Sequence, residues 1–281
     1  MIIVRDRAVL DEALGAFRSA GQSIGFVGTS GALHAGHLSL LRQASAENHV
    51  AIMFWTGEMA FPWAAGSNPA YLRDVERDAA LARGAGAGLL YIPRGEEIFP
   101  EPPMAQVSAP GMHRPGLTEP RHLDMVALFM SKFLNMIGGC TCYMGEKDWQ
   151  QLQMMGRIAS DLSLPVSRFV GSPTVRDADG VPLSSRNVKL TVAQRQAAAV
   201  VPRALQAAAD AIIAGERDGA RVRSIIVDAI EAVAPLVYAE VLSENLQDLH
   251  LLRGPIRLMA AARFGDVEIL DSVGVDAGMF G

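Results

Sequence analysis

Residues 24–41 are Ile24-Gly-Phe-Val-Gly-Thr-Ser-Gly-Ala-Leu-His-Ala-Gly-His-Leu-Ser-Leu-Leu41, a run that leads from an apolar strand through a glycine-rich loop into an amphipathic helix. A short, continuous apolar run such as Ile24–Val27 is typical of a strand buried on both faces of a parallel sheet. Ligands of open parallel sheets bind beyond the carboxyl ends of the strands. The loop after Val27 is therefore the first place to expect chemistry.

Two histidines, His34 and His37, stand at the predicted start of the helix that follows this loop. The first backbone N–H groups of a helix lack intrahelical partners and the helix dipole is positive there, so phosphate is favoured. Gly36 lets a nucleotide approach the backbone closely, and two imidazoles can donate to phosphate oxygens as charge builds in a transition state. The alternatives are incidental polar residues or half of a metal site.

The surrounding pattern alternates strands with helices over roughly the first 170 residues. This alternation predicts a doubly wound α/β fold with a parallel sheet. The predicted strands are Ile24–Val27, Val50–Phe54 and Leu89–Ile92, and the predicted helices are Gly36–Glu47 and Tyr71–Gly84.

The pattern changes after Val170, where residues 171–180 are rich in turn-forming residues. We therefore place a boundary there, and predict a doubly wound α/β domain over residues 1–173 and a smaller α+β domain over 174–281. The second domain is predicted to contain Ala-rich helices within Thr191–Ala214 and strands at Val237–Leu242, Ile256–Ala262 and Val267–Leu270.

Composition limits the classes of function. The 281 residues are 50% hydrophobic and carry a formal charge of −5, which provides no basic field for nucleic acid or an anionic membrane. No signal peptide or membrane span is evident, so we expect a cytoplasmic protein with small-molecule substrates. Cys140 and Cys142 are the only cysteines, and we expect two reduced thiols near a strand.

Two further segments contain candidate phosphate ligands. Lys147 lies in Met144–Gln151, between an apolar segment and an amphipathic helix, and its alternative is a solvated surface lysine. Residues 181–187 offer hydroxyls and a guanidinium to phosphates, although a generic loop is the alternative. The candidates there are Ser184, Ser185 and Arg186, while Arg176 and Asp179 in the preceding turn suggest a mobile loop closing over nucleotide.

The motifs taken together closely resemble those of the pantothenate synthetase (pantoate–β-alanine ligase) family. The similar segments are Gly31–Arg42, Gly145–Gln151, Thr174–Asn187 and Ile256–Asp271, which together extend over nearly the whole chain. The resemblance implies a Rossmann-like nucleotidyltransferase fold of the His-x-Gly-His type with a C-terminal lid, a homodimer, and the cofactors ATP and Mg²⁺. It also implies acyl adenylate formation from a carboxylic acid, followed by amide formation with an amine.

The resemblance also implies roles for individual residues. His34, His37, Lys147 and Arg186 would be catalytic, and no metal ligand among the side chains is implied. ATP would contact Thr29, Gly31, Gly36, His37, Gly145, Lys147, Asp148 on its ribose side, Val175, Ser184, Ser185 and Arg186. The acid and amine would contact Ser30, Ala60, Tyr71 and Gln151.

The departures from the family pattern fall on the acid-binding side. Gly28 and Ser30 replace a proline and a methionine, Gly57 replaces an asparagine, and Ala60 replaces a pantoate-binding glutamine. These changes remove side-chain volume that Trp55 and Glu58 could refill. We therefore leave open pantoate or another small acid as substrate, an adenylyltransferase that makes no amide, and a nucleotide-binding protein without activity.

Overall fold

The computed structural model describes residues 1–57, 74–114 and 117–278. The chain packs as two compact units. Unit 1 comprises Met1–Gly111, Thr118–Gly145 and Met154–Ser172, and unit 2 comprises Met112–Leu117, Glu146–Gln153 and Pro173–Gly281. The domains predicted from the sequence, 1–173 and 174–281, differ in leaving residues 112–117, 146–153 and 173 with the first part, and that division stays a prediction.

Unit 1 is built on a six-stranded sheet in which every paired strand is parallel to its neighbour. The order is β1-β4-β3-β2-β5-β6. This confirms the predicted α/β class with a Rossmann-like parallel sheet. The strands are β1 (Ile2–Val4), β2 (Ile24–Thr29), β3 (Val50–Trp55), β4 (Leu89–Tyr91), β5 (Cys140–Gly145) and β6 (Val166–Ser172).

The strand formed by the apolar run at Ile24, β2, lies in the interior of the sheet. β3 and β4 continue the sheet on one side of β2, while β5 and β6 continue it on the other. The strand order therefore reverses at β2, and such a switch point leaves a crevice at the carboxyl end of the strand. Thr29, the last residue of β2, lies at that end.

Helices connect these strands, and three of the six in the described residues begin at a side-chain cap. Asp6 caps α1 and Asp74 caps α3 by accepting backbone N–H bonds. Pro120 opens α5 where its missing N–H costs nothing, and Gly138, at φ 73°, ends it. The helices are α1 (Arg7–Ser19), α2 (Ala35–Glu47), α3 (Val75–Gly84), α4 (Gly95–Ile98), α5 (Pro120–Ile137) and α6 (Trp149–Asp161), with a 3₁₀ turn at Pro110–Met112.

Unit 2 contains a three-stranded antiparallel sheet in the order β7-β8-β9, packed against helices. Its elements are α7 (Val192–Ala197), α8 (Val200–Ile213), α9 (Gly219–Glu231), β7 (Leu236–Ser243), β8 (Pro255–Phe264), β9 (Val267–Asp276) and 3₁₀ turns at Glu146–Asp148 and Ser185–Lys189.

Two sequence predictions for unit 2 differ in detail from the observed elements. The helical stretch Thr191–Ala214 is interrupted at residues 198–199, because Pro202 has no N–H to offer the carbonyl of Ala198. The strand predicted to end at Leu270 continues to Asp276, because pairing with β8 extends to Pro255. A prediction from local hydropathy made this strand too short, because the polar residues after Leu270 are kept in the strand by hydrogen bonds to β8.

Large aromatic side chains fill the interior of unit 1. Trp55, Tyr91 and Tyr143 are among the largest fully buried side chains. Cys140 and Cys142 are buried free thiols on β5, and burial raises the pKa of Cys140 to about 12. In the described ranges no helix is both long and apolar enough to cross a membrane.

Candidate active site

The loop between β2 and α2 has an unusual backbone. Gly31 and Ala32 both adopt positive φ angles, 99° and 52°. Glycine tolerates this region freely, whereas a residue with a Cβ such as Ala32 is strained there. The backbone N–H of Gly31 donates to the hydroxyl of Thr29 at 3.1 Å, so the buried end of β2 holds the start of the loop. The sharp reversal leads directly to the N-terminus of α2.

His34 and His37 cap α2 reciprocally. His34 is the N-cap residue, and its Nδ1 accepts the backbone N–H of Gly36 at 3.1 Å. The Nδ1 atom of His37 accepts the backbone N–H of His34 at 3.4 Å. A neutral imidazole that accepts at Nδ1 has its hydrogen on Nε2. The cap therefore selects in both rings the tautomer in which Nε2 is a donor.

The two imidazole rings are close neighbours, with centroids 4.1 Å apart and planes inclined by 38°. Gly36 makes this arrangement possible. A Cβ at position 36 would lie 2.9 Å from Cε1 and 3.0 Å from Nδ1 of His34. Glycine is thus required to leave space for the His34 ring, which is a different reason from the nucleotide approach expected from the sequence.

The region predicted to bind the acid differs from the family pattern around Trp55. Its fully buried ring occupies the space into which a side chain at position 57 would project, since a Cβ on Gly57 would lie 2.5 Å from Cζ2 and 2.9 Å from Cζ3. The asparagine that the family pattern has at this position is therefore incompatible with the present Trp55 ring.

A Cβ on Gly28 would make ordinary contacts of 3.5 Å with Met130 and Phe26. Glu58, Ala60 and Tyr71 lie outside the described residues.

The contact between Trp55 and Gly57 yields a stability prediction. Replacing Gly57 with asparagine should lower the free energy of unfolding by about 1–3 kcal/mol, the usual cost of overpacking a filled interior. In a Trp55→Phe background the same change should cost at least about 0.5 kcal/mol less, because phenylalanine lacks the outer ring of the indole. Denaturant unfolding of the four proteins measures this coupling energy.

Gly139→Asn is the matched control, because Gly139 is exposed and a Cβ there would meet open space. Its unfolding free energy should remain close to the wild-type value. Equal costs of Gly57→Asn in the wild-type and Trp55→Phe backgrounds would contradict steric exclusion by the indole.

Lys147 lies in unit 2, in the 3₁₀ turn Glu146–Asp148. Its Nζ is 3.3 Å from both carboxylate oxygens of Asp148. The turn is anchored through Glu146, whose carbonyl oxygen accepts the Ser272 hydroxyl at 2.5 Å and whose carboxylate pairs with Arg257 at 3.1 Å. The Lys147 side chain, 19% exposed, is therefore presented by a backbone that β8 and β9 hold in place.

Arg257 strengthens this anchor from the other side. Its guanidinium carbon lies 3.4 Å from the centroid of the Trp149 ring, a stacked cation–π arrangement. The indole N–H of Trp149 donates to the carbonyl of Glu244 at 2.9 Å. Because Trp149 directly follows the lysine turn, these contacts hold both the turn and the adjacent residues that include Gln151.

The segment before Ser184 is a tight, internally bonded loop. Leu183 N–H donates to the Val175 carbonyl at 3.0 Å, and Arg176 forms an antiparallel bridge with Pro182. Ser184 then caps the 3₁₀ turn Ser185–Lys189, since its hydroxyl accepts the Arg186 N–H at 3.2 Å. That hydroxyl still has a hydrogen to donate. Arg186 is exposed.

An ion pair secures this loop to β9. Arg176 makes a bidentate contact with Asp271, at 2.5 Å and 2.9 Å, and also donates to the Gly180 carbonyl at 3.0 Å. Asp271 is fully buried. Burial raises the pKa of its carboxyl, and the hydrogen bonds from Arg176 oppose that rise.

A second arginine closes the turn of the loop. Arg195 binds Asp177 at 2.6 Å and Asp179 at 2.7 Å. Its hydrogen bonds to Asp179 lower the pKa of that carboxyl. The expected mobile loop around Arg176 and Asp179 is thus heavily cross-linked, and its closure over nucleotide stays a prediction.

Unit 2 also has a cavity of about 390 Å³ behind this loop. Its walls include Thr174, Arg176, Arg203 and Arg257, whereas Lys147 and residues 184–186 are not among them.

The predicted residues divide between the two units. Unit 1 has Thr29, Ser30, Gly31, His34, Gly36, His37 and Gly145, and unit 2 has Lys147, Asp148, Gln151, Val175, Ser184, Ser185 and Arg186. In unit 2 both 3₁₀ turns, with Lys147 and with Arg186, pack against β9. Across residues 1–57, 74–114 and 117–278, no group of three His, Cys, Asp or Glu side chains is placed to hold a metal ion.

Several supporting residues had escaped sequence analysis. Asp78, Glu146, Arg257 and Asp271 are polar residues in helices, turns or strands, where most such residues are solvated. No local pattern distinguishes them, because most of their partners lie 23 to 126 residues away, as in Trp55–Asp78 and Ser272–Glu146.

Comparison with solved structures is consistent with this architecture. A pantothenate synthetase from Thermus thermophilus superposes with a TM-score of 0.87 at 33% identity, with 97% of this chain and 99% of that chain covered. A pantoate-beta-alanine ligase from Francisella tularensis, solved with beta-gamma ATP and beta-alanine, gives a TM-score of 0.74 over 97% of both chains. At 24% identity the latter likeness concerns the fold alone.

Sequence comparison extends over the same length. Pantothenate synthetase 1 of Frankia alni is 41% identical over 287 residues, covering 98% of both proteins. Pantothenate synthetase of Sphingopyxis alaskensis is 39% identical, covering 98% of this chain and all of that protein. The family model described as pantoate-beta-alanine ligase matches residues 2–274. The chain therefore belongs to the pantoate-beta-alanine ligase family.

Proposed function

We propose that this protein is an ATP-dependent, AMP-forming ligase that joins a small carboxylic acid to an amine. The observation that carries the proposal is the reciprocal cap of His34 and His37, which puts the hydrogen of both neutral rings on Nε2. Two such donors at a helix N-terminus suit stabilisation of charge on a phosphate in the transition state.

The proposed reaction has two steps. A carboxylate oxygen of the acid attacks the α-phosphorus of ATP, the bond to the bridging oxygen breaks, and pyrophosphate leaves. The amine nitrogen then attacks the acyl carbon, AMP leaves, and the amine loses a proton. Adenylation is needed because the negative charge of a carboxylate repels nucleophiles and because the group has no good leaving group. In the mixed anhydride the acyl group carries no charge, and AMP can leave.

We assign the following roles within that reaction. In unit 1, His34 and His37 donate to the phosphates, while Thr29, Gly31, Gly36 and Gly145 shape the nucleotide site. In unit 2, Lys147 and Arg186 neutralise phosphate charge with Ser184 and Ser185, while Asp148 and Val175 contact the nucleoside. Acid and amine contact Ser30, Ala60, Tyr71 and Gln151. Mg²⁺, usually bound through substrate phosphates with retained waters, accompanies ATP, and the protein acts as a cytoplasmic homodimer.

The decisive experiment separates the two steps. Exchange of labelled pyrophosphate into ATP, without amine, should require the acid and reveal adenylate formation. AMP production should then require both acid and amine. AMP transfer to a phosphate-bearing acceptor, with no dependence on an amine, would instead identify an adenylyltransferase. Absence of exchange and AMP formation with every acid would overturn the ligase proposal.

Two acids are considered as the substrate, and in the first form of the proposal the acid is pantoate. The loss of a side chain at Gly57 and the Trp55 ring in its place favour a second form, in which another small acid is activated. Leaving a substrate hydroxyl without its amide partner costs about 1–3 kcal/mol. An acid panel in the exchange assay decides between the two forms by which acid has the higher kcat/KM.

Lys147 provides a test of the phosphate-binding role in unit 2. Replacing it with methionine keeps much of the aliphatic stem and removes the charge, so we expect kcat/KM for ATP in the exchange reaction to fall at least about tenfold. Lys189→Met, at an exposed position of the same unit, is the matched control and should retain wild-type exchange. Equal values for both variants would exclude Lys147 from the site.

A further inference from the structure

The backbone of Leu33, the residue before His34, is held from outside its own loop. Leu33 N–H donates to Oδ1 of Asp78 at 3.0 Å, and the Leu33 carbonyl accepts from Nη2 of Arg77 at 3.1 Å. Both partners are consecutive residues of α3. A single residue thus has its donor and its acceptor fixed by a neighbouring helix, one position before the N-cap of α2.

Asp78 is a buried carboxylate with an unusually complete set of donors. It is 0% exposed. Oδ2 accepts the indole N–H of Trp55 at 2.7 Å, and Oδ1 accepts from Nη1 of Arg77 at 3.0 Å in addition to Leu33. Burying a carboxylate is costly unless such bonds compensate. The indole orients one oxygen and thereby directs the other towards the loop.

The loop requires support of this kind. Ala32, immediately before Leu33, is held at φ 52°. Conformations of this kind persist where the surroundings over-determine them. Release of the Leu33 peptide would let Ala32 relax to a negative φ and would rotate the backbone N–H of His34, which is the donor to Nδ1 of His37. The disturbance would thus reach both imidazoles.

We propose that Asp78 is a positioning residue for adenylation, which acts through Leu33 on His34 and His37 with Arg77 and Trp55 as its partners. The inference rests on the proposed function, because it concerns the placement of the two donors used there. Displacement of reacting groups by about 1 Å can cost about 10²-fold in rate. Asp78 itself touches neither substrate nor phosphate in this proposal.

The test is a double-mutant cycle in the pyrophosphate exchange reaction. Asp78→Asn keeps the size of the side chain but can offer only one acceptor oxygen, so kcat should fall about 10- to 10²-fold. In a background that carries both His34→Asn and His37→Asn the additional fall should be at most about twofold, because both groups that Asp78 positions have already been removed. A fall by the same factor in both backgrounds would overturn the proposal and leave a purely structural role.

Arg77→Met extends the test should Asp78→Asn fail to fold, since the Arg77 side chain is 53% exposed. It removes the bond to the Leu33 carbonyl and should lower kcat by at least about threefold, with a smaller effect in the background that carries both His34→Asn and His37→Asn. Arg83→Met, an exposed arginine of the same helix, should retain wild-type kcat. Wild-type kcat in Arg77→Met would contradict the proposal.

A spectroscopic readout separates this inference from the reaction itself. The ¹⁵N shifts of the His37 ring, whose Nδ1 accepts the His34 N–H, should report the Nε2–H tautomer in the wild-type protein and are identified by their absence in His37→Asn. They should move towards a mixture of tautomers in Asp78→Asn. If wild-type protein activates no acid, the proposed function fails; if it is active and Asp78→Asn leaves both the ring shifts and kcat unchanged, the positioning role alone fails.

Discussion

Replacing His34 with asparagine is expected to slow adenylation about 10²- to 10³-fold, the usual effect of removing one donor to transition-state charge. Asparagine is among the best N-cap residues, so its side chain can still accept the Gly36 N–H and keep α2 capped. It is too short to put a donor where the imidazole Nε2 lies. Pyrophosphate exchange at saturating ATP and acid measures this loss as kcat.

The matched variant is His34→Ala, which removes both the donor and the cap. Its exchange rate should be as low as that of His34→Asn, whereas its free energy of unfolding should be lower by about 0.5–2 kcal/mol. Comparison of the two variants separates catalysis from capping. Wild-type exchange by His34→Asn would remove the His34 ring from the proposed mechanism.

Replacing Arg176 with methionine is expected to produce the largest loss of stability. The change leaves the fully buried carboxylate of Asp271 without its bidentate partner. Removing one member of a buried ion pair typically costs about 3–5 kcal/mol, and the partial exposure of Arg176 places this case near the lower value. The loop that leads to Ser184–Arg186 should loosen as well, since Arg176 also binds the Gly180 carbonyl. Denaturant unfolding measures the change.

The loss should depend on which partner is removed and on pH. Asp271→Asn should cost less than Arg176→Met, because the side chain of Arg176 is 28% exposed and can reach water. In Arg176→Met the pKa of Asp271, already raised by burial, rises further without its cation. A raised folded-state pKa penalises the ionised form, so the deficit of the variant relative to wild type should shrink from about pH 8 to about pH 5.

Arg203→Met, an exposed arginine of the same unit, is the control and should unfold with nearly the wild-type free energy. A larger cost for Asp271→Asn than for Arg176→Met would contradict this account. So would a deficit in Arg176→Met that grows as the pH falls.

Much of this protein follows from local sequence alone. The apolar runs at Ile24, Val50 and Leu89 predict parallel strands, because strands covered on both faces need continuous apolar sequence. Thr29-Ser-Gly-Ala-Leu-His-Ala-Gly-His37 places a loop and a helix start directly after a strand, and the structure confirms both. Anion binding at a helix N-terminus depends on backbone groups and adjacent residues, so it is encoded within a few positions of the chain.

Other features exist only because distant segments meet. The tautomer of His37 depends on the backbone N–H of His34, and the residue before His34 is held by Asp78, 45 residues beyond Leu33 in sequence. The exclusion of a side chain at Gly57 depends on the orientation of the Trp55 ring, which its hydrogen bond to Asp78 sets. A buried carboxylate cannot be recognised in sequence, because its stability comes from donors brought to it by folding. Sequence therefore determined the fold class and the type of site, while tertiary structure decided how the site is held.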